Sequence, residues 1–230
     1  MLYWLLKYVL VGPAMRVLFR PQVSGAGHVP ASGPVILAAN HLSFMDSIVL
    51  PLAVRRRVTF PAKIEYFRGR GLRGVIVRLF FAGTGQVPLD RSGGRSALAS
   101  LDSGADILRA GGVFGIYPEG TRSPDGRLHR GKVGVARLAL TTGASVVPVA
   151  LLNLDEIQPP GHRLPRIRRV RICFGEPLDF SRYAGLQRDR HIARAVTDEI
   201  MYEIMRLSGR EYVDVYAQRV KSPAALRTAA

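Results

Sequence analysis

Hydrophobic positions along the chain fall into short strand-length runs separated by longer stretches with helical spacing. Pro34–Ala39 is a continuous apolar run between Gly33 and Asn40-His41, the mark of a strand buried on both faces. Similar runs predict strands over Val58–Ala62, Gly85–Leu89, Val113–Tyr117, Ser145–Leu151 and Arg168–Phe174. Pro88 confines the Gly85–Leu89 strand to a sheet edge or a strand end. Helical spacing predicts helices over Ser47–Val54, Gly71–Gly83, Ser96–Ala110 and Lys132–Thr142. Ile192, Val196, Ile200, Ile204 and Leu207 line one stripe of a long helix that stops at Ser208-Gly209. Strands alternating with helices predict an α/β fold: a single domain with a central, mostly parallel sheet flanked by helices. That domain covers residues 21–220, with residues 221–230 read as a flexible tail.

The first residues, MLYWLLKYVLVGPAMRVLF, are strongly apolar but interrupted by Lys7, Gly12-Pro13 and Arg16. A spanning helix needs ~20 mostly apolar residues. A secretory signal needs a basic start and a small-residue cleavage site, and neither stands out here. Residues 1–20 therefore read as a helix lying in the membrane interface, with Tyr3, Trp4 and Tyr8 at headgroup depth. The competing reading is a helix packed on the core. The first reading makes the protein membrane-associated, peripheral or monotopic.

Charge sharpens that picture. Lys and Arg number 33 against 17 Asp and Glu, a net +16. All but Lys7, Lys63, Lys132 and Lys221 of these cations are arginine. Such a field favours polyanions: anionic lipid surfaces, phosphorylated substrates or nucleic acid. One basic run, from Arg55 through Lys63 to Arg78, carries Glu65 as its one acid and would face headgroups or substrate phosphates. A second covers Arg163, Arg166, Arg168, Arg169 and Arg171. A basic nucleic-acid or membrane-binding module is the non-enzymatic alternative. No helix-turn-helix, RNP-like block or zinc finger accompanies the charge, so no nucleic acid is expected. The single Cys173 cannot form an intramolecular disulfide, and its apolar neighbours predict a buried thiol. The histidines lack metal-ligand spacing, and no metal is expected.

Three polar clusters follow apolar strands, where ligands collect in open α/β sheets. The first is Asn40-His41-Leu42-Ser43-Phe44-Met45-Asp46. On one helix His41 and Asp46 would stand about 140° apart, so only a turn brings them together. There Asp46 would orient an imidazole base, with the nucleophile supplied by a substrate hydroxyl. Alternatively, Ser43-x-x-Asp46 is a capping box, and the two roles are compatible. The second cluster, Gly85–Arg91, ends on an arginine suited to phosphate or carboxylate. The third, Tyr117-Pro-Glu-Gly-Thr-Arg-Ser123, offers Glu119 to a hydroxyl and Arg122 to a phosphate, with Arg130 and Lys132 following. A surface Glu–Arg pair is the plain alternative for this third cluster.

Taken in order, His41–Asp46, Gly85–Arg91, Tyr117–Ser123 and Val146-Val-Pro-Val-Ala150 resemble the four blocks of the lysophospholipid acyltransferase family. This likeness to 1-acylglycerol-3-phosphate acyltransferases runs from about Pro34 to Leu151, and Phe174–Leu178 (FGEPL) resembles a later strand of the family. Pro88 departs from the bulkier apolar residue of many members, which leaves the acceptor more open than the reaction. The resemblance implies acyl transfer from an acyl thioester, acyl-CoA or acyl carrier protein, to a hydroxyl of a phosphate-bearing glycerolipid. The acceptor would be lysophosphatidic acid, or else glycerol-3-phosphate, another lysolipid or a glycolipid. It also implies roles. His41 would be the general base and Asp46 its orienter. Arg91 and Arg122 would hold the phosphate, while Glu119, Gly120, Thr121 and Lys132 would shape the acceptor site. The thioester is a substrate, no cofactor is required, and no acyl-enzyme is expected because no nucleophile is offered. Gly71–Gly83 is a candidate for the acyl-chain pocket, ordinary core being the alternative. The cytoplasmic face of the membrane is the expected location.

Overall fold

The computed structural model describes residues 2–89, 94–158 and 164–220. It opens with α1 (Leu2–Leu5), a π-helical turn (Leu6–Leu10), α2 (Val11–Phe19) and β1 (Gln22–Ser24). Then come β2 (Val35–Ala39), α3 (Asp46–Ala53), β3 (Val58–Lys63), α4 (Gly71–Gly83), β4 (Gln86–Leu89), α5 (Gly94–Arg109) and β5 (Val113–Ile116). The rest is β6 (Leu128–His129), α6 (Gly134–Thr142), β7 (Ser145–Leu152), α7 (Leu154–Ile157), β8 (Arg171–Phe174), α8 (Arg190–Ser208), β9 (Tyr212–Val213) and α9 (Ala217–Val220). Seven strands form one sheet in the order β1-β8-β7-β2-β5-β3-β4. From β7 to β4 all neighbours are parallel. β8 runs antiparallel to β7, and β1 runs parallel to β8.

β2 shows why the sheet sits centrally. Its five residues are all buried, and alternate side chains enter two different cores. Val35, Leu37 and Ala39 meet Met15 and Phe19 of α2 and Val49 and Leu50 of α3. Ile36 and Ala38 face the other way, toward Ala105 and Leu108 of α5, Val135 of α6 and Val196 and Ile200 of α8. Burying each large apolar side chain in such a core is worth ~1.5–3 kcal/mol. α8 carries the expected stripe. Asp189 caps its start by accepting from the His191 and Ile192 amides, and Gly209 ends it at φ +62°. In β5, Gly115 is required by crowding, because a Cβ there would lie 2.1 Å from the Phe60 ring.

The N-terminal helix is fastened along the domain. The Val58 amide donates to the Tyr3 hydroxyl at 3.2 Å. Lys7 Nζ donates to the carbonyls of Val54 and Arg56 and lies over the rings of Tyr3, Trp4 and Tyr8. Burial, assisted by Arg16, lowers the Lys7 pKa to about 8. The segment Leu2–Phe19 is long and apolar enough to cross a membrane by length and composition. One face is nevertheless docked on the domain, while Leu2, Leu5, Val9, Leu10, Val17 and Leu18 on the other are exposed.

The structure departs from the sequence reading in several places. α4 forms over the expected residues and buries Gly74, Phe81 and Gly83, but it leaves Leu72, Val75, Ile76 and Leu79 exposed. The Arg168–Phe174 run shortens to β8 and pairs antiparallel. Cys173 is free but only partly buried. β1 and the two-stranded β6–β9 ribbon carry too few residues to show a pattern of their own. The tail over 221–230 lies outside the described residues.

Because β2 and β5 are parallel neighbours, the loops after them leave the sheet side by side at its carboxyl edge. The first carries His41 and the second Glu119.

Candidate active site

β2 ends at Ala39, and the next residue fixes the exit of the chain. The Asn40 side chain donates to the Leu151 carbonyl at 2.9 Å and accepts from the Leu151 amide at 2.7 Å, mimicking a strand partner for β7. The chain then turns tightly before α3. In that turn Asp46 Oδ2 accepts from His41 Nδ1 at 2.7 Å, the Leu42 amide at 2.6 Å and the Ser43 amide at 2.9 Å. The Met45 amide, not that of Asp46, donates to Ser43 Oγ at 3.2 Å, and the N-cap residue of α3, Met45, has no side-chain cap, so of the expected capping box only the bond from the Ser43 amide to Asp46 forms. Asp46 is fully buried, and each charge-assisted bond to it is worth ~1.5–3 kcal/mol. Nδ1 of His41 is committed as a donor, which leaves Nε2 as the nitrogen that accepts a proton. The imidazole side chain retains 18% exposure.

The loop after β5 grips the same histidine. Tyr117 stacks flat on the His41 ring, centroids 3.9 Å apart and planes within 9°. Its hydroxyl pairs with Ser47 at 2.9 Å, and burial together with the Asp46 charge pushes the phenol well above its ordinary range. Glu119 Oε1 accepts from the His41 amide at 3.1 Å, and Oε2 accepts from the His129 amide at 3.0 Å. The Ser123 amide donates to the His41 carbonyl at 2.7 Å. His41 is thus held through its ring, its N–H and its C=O by residues of two loops.

Glu119 calls for a correction. The sequence reading offered it to a substrate hydroxyl, yet it is 1% exposed and both its oxygens bind backbone amides. Burial raises its pKa to about 7, against the lowering effect of the two amides. It ties the histidine loop to His129, whose ring contacts Asp125 Oδ1 at 2.9 Å and the Val215 carbonyl at 3.2 Å. Burial pushes Asp125 up, but hydrogen bonds from His129 and Arg127 outweigh it and hold this carboxyl well below the usual range.

Gly120, Thr121, Arg122 and Lys132 follow Glu119 in the chain. Gly120 is exposed at φ +72°, and a Cβ there would lie 3.0 Å from the Lys132 side chain. Thr121 is partly buried and Arg122 is exposed. The Lys132 amide donates to the Pro118 carbonyl at 2.8 Å, and its Nζ to Gln218 at 2.9 Å. Arg91 follows edge strand β4 and lies outside the described residues. Among the described residues no group of His, Cys, Asp and Glu is arranged to hold a metal ion. Sequence reasoning gave no role to Asn40, Tyr117, Ser47 or His129. The first three sit inside or beside the singled-out clusters, so proximity was their one signal.

An imidazole oriented by a buried carboxylate, set in the loop between a parallel strand and a helix, can act as a general base. Residues 20–152, which contain every candidate site residue above, match the family model described as Acyltransferase, and the chain belongs to that family. A chloroplastic 1-acyl-sn-glycerol-3-phosphate acyltransferase of Arabidopsis thaliana is 32% identical over 168 residues, covering 71% of this chain and 45% of the relative. The 1-acyl-sn-glycerol-3-phosphate acyltransferase of Bacillus subtilis is 25% identical over 191 residues, 82% of this chain and 88% of the relative. The crystal structure of the 1-acyl-sn-glycerophosphate acyltransferase PlsC of Thermotoga maritima matches with TM-score 0.63 at 26% identity, covering 85% of this chain and 76% of that one. The chain spans about half or less of the length of the plant and spirochaete relatives.

Proposed function

We propose that this protein is a glycerolipid O-acyltransferase that acylates the free hydroxyl of 1-acyl-glycerol-3-phosphate with a chain drawn from acyl-CoA or acyl carrier protein. The observation that carries the reading is the 2.7 Å His41–Asp46 bond inside an Acyltransferase-family chain. The relatives, 1-acyl-sn-glycerol-3-phosphate acyltransferases, supply the acceptor class. His41 Nε2 takes the proton of the acceptor hydroxyl as its oxygen attacks the thioester carbonyl. Collapse of the tetrahedral adduct expels the thiolate, and the imidazolium returns the proton to it. Asp46 holds the ring and stabilises its charged form. The neighbouring hydroxyls support a substrate nucleophile, since Ser43 Oγ bonds Gln158 and Ser47 Oγ bonds Tyr117 rather than the imidazole. Arg122, Lys132 and Arg91 receive the acceptor phosphate. Gly120 and Thr121 shape its approach. No cofactor enters the scheme.

Membrane attachment belongs to the same reading. The exposed apolar face of α1 and α2 enters one leaflet while Lys7 and Tyr3 keep the helix on the domain. This makes the protein monotopic, on the cytoplasmic face where soluble acyl thioesters arrive. The test is acyl transfer from palmitoyl-CoA to lysophosphatidic acid, glycerol-3-phosphate and a neutral lysolipid. The reading expects lysophosphatidic acid to give the highest kcat/KM. Preference for glycerol-3-phosphate or the neutral lysolipid would move the acceptor assignment, and inactivity with both palmitoyl-CoA and acyl carrier protein donors would remove the enzyme reading.

A further inference from the structure

α4 departs from ordinary helix packing. Gly74, Phe81 and Gly83 are its buried residues, whereas Leu72, Val75, Ile76 and Leu79 stand 78%, 40%, 58% and 51% exposed. At 100° per residue those four cluster on the side opposite Gly74 and Phe81. Arg73 and Arg78, both exposed, fall on the two flanks of that apolar stripe. An apolar stripe turned to the outside and bracketed by arginines is the pattern of a helix lying in a membrane interface.

One contact places the stripe in a larger surface. A Cβ at Gly83 would lie within 3 Å of Leu2 and Leu6, so the end of α4 abuts α1 and the following turn. Their outward apolar residues, Leu2 and Leu5 among them, extend the same side. On the opposite, buried face of α4, Phe81 stacks on Tyr66 with centroids 4.3 Å apart and meets Phe44 edge-on at 6.2 Å. Phe44 belongs to the turn between His41 and Asp46 and is itself 36% exposed.

We infer that α4 is a second membrane-inserted helix, seated in an anionic leaflet beside α1, with its inner Phe81 face packed toward the His41–Asp46 turn. Arg73 and Arg78 meet lipid phosphates while Leu72, Ile76 and Leu79 reach the acyl region. The inference rests on the membrane reading of the N-terminal helix, and its test keeps the two apart.

The experiment uses the full chain with Cys173→Ser. Ile76→Cys carries an environment-sensitive fluorophore, and vesicles of phosphatidylcholine and phosphatidylglycerol contain nitroxide-labelled lipid. Trp4, the one tryptophan, reports the N-terminal helix through brominated lipid in the unlabelled protein. A label at Tyr202→Cys on α8 is the control, since that exposed position lies on the other side of the sheet. Expected is strong quenching at position 76 with none at 202, and a vesicle affinity lowered about tenfold or more in Leu79→Asp with unchanged circular dichroism. Trp4 quenched with position 76 unquenched overturns the inference and leaves the N-terminal reading intact. Shielding of position 76 without vesicles, rising with protein concentration, would assign the stripe to a second copy and overturn it too.

Discussion

Replacing Glu119 by Gln separates the cost of burying a charge from its use. The carboxyl is 1% exposed, and its pKa is raised from the ordinary 4.5 to about 7. At ~1.4 kcal/mol per pH unit this shift corresponds to ~3 kcal/mol. The sign follows from the raised value. The protonated form is favoured in the folded state, so the stabilisation is fully present below pH 4.5 and is lost as pH rises through about 7. Glutamine does not titrate. Urea unfolding should therefore show the stability of Glu119→Gln improving relative to wild type by ~3 kcal/mol between pH 4.5 and pH 8. Activity should move the other way. Only the ionised carboxylate has two oxygens free to receive both the His41 and His129 amides, and an amide nitrogen cannot accept one. At pH 8 kcat should fall about tenfold, with the acceptor KM little changed. A stability difference constant with pH would refute the burial argument. A raised acceptor KM at unchanged kcat would return Glu119 to the substrate.

Other outcomes follow from the same structure. Asp46→Asn should lower kcat at least tenfold and stability by ~1–3 kcal/mol, since the amide carries no charge to stabilise the imidazolium and buries an NH2 donor where Oδ1 has no partner; steady-state kinetics and urea melts check both. Gly115→Ala should cost ~1–3 kcal/mol, read as a lower Tm, because its Cβ meets the Phe60 ring. Lys7 has a folded pKa of about 8, below the ordinary 10.5, so its burial penalty is full below pH 8 and disappears above 10.5. Wild-type stability should accordingly rise by ~1–3 kcal/mol relative to Lys7→Met across that interval, and parallel unfolding curves would contradict the penalty.

Legibility in the sequence followed the range of the interactions. The run at Pro34–Ala39 displays a doubly covered strand because both faces need apolar residues. The α8 stripe and its Gly209 stop are equally local. His41 and Asp46 were readable as a pair because a five-residue turn joins them. Glu119 was readable as important but not in its use, since one amide it holds lies 78 residues away. Tyr117 stacking on His41 is likewise a product of β2–β5 adjacency. α4 was legible as a helix but not in what its apolar side faces. Amphipathic spacing does not reveal what the apolar face meets, so the exposure of Leu72 and Ile76 could not be read from it.

The central claim is that His41 is the base of an acyl-transfer reaction. It is tested most directly by single-turnover transfer from palmitoyl-CoA to lysophosphatidic acid, wild type beside His41→Ala. The account predicts a rate lower by ~10²–10⁴ in the variant, with acceptor binding retained and no acyl-protein in either. An undiminished rate, or acyl-protein trapped in wild type, would contradict it.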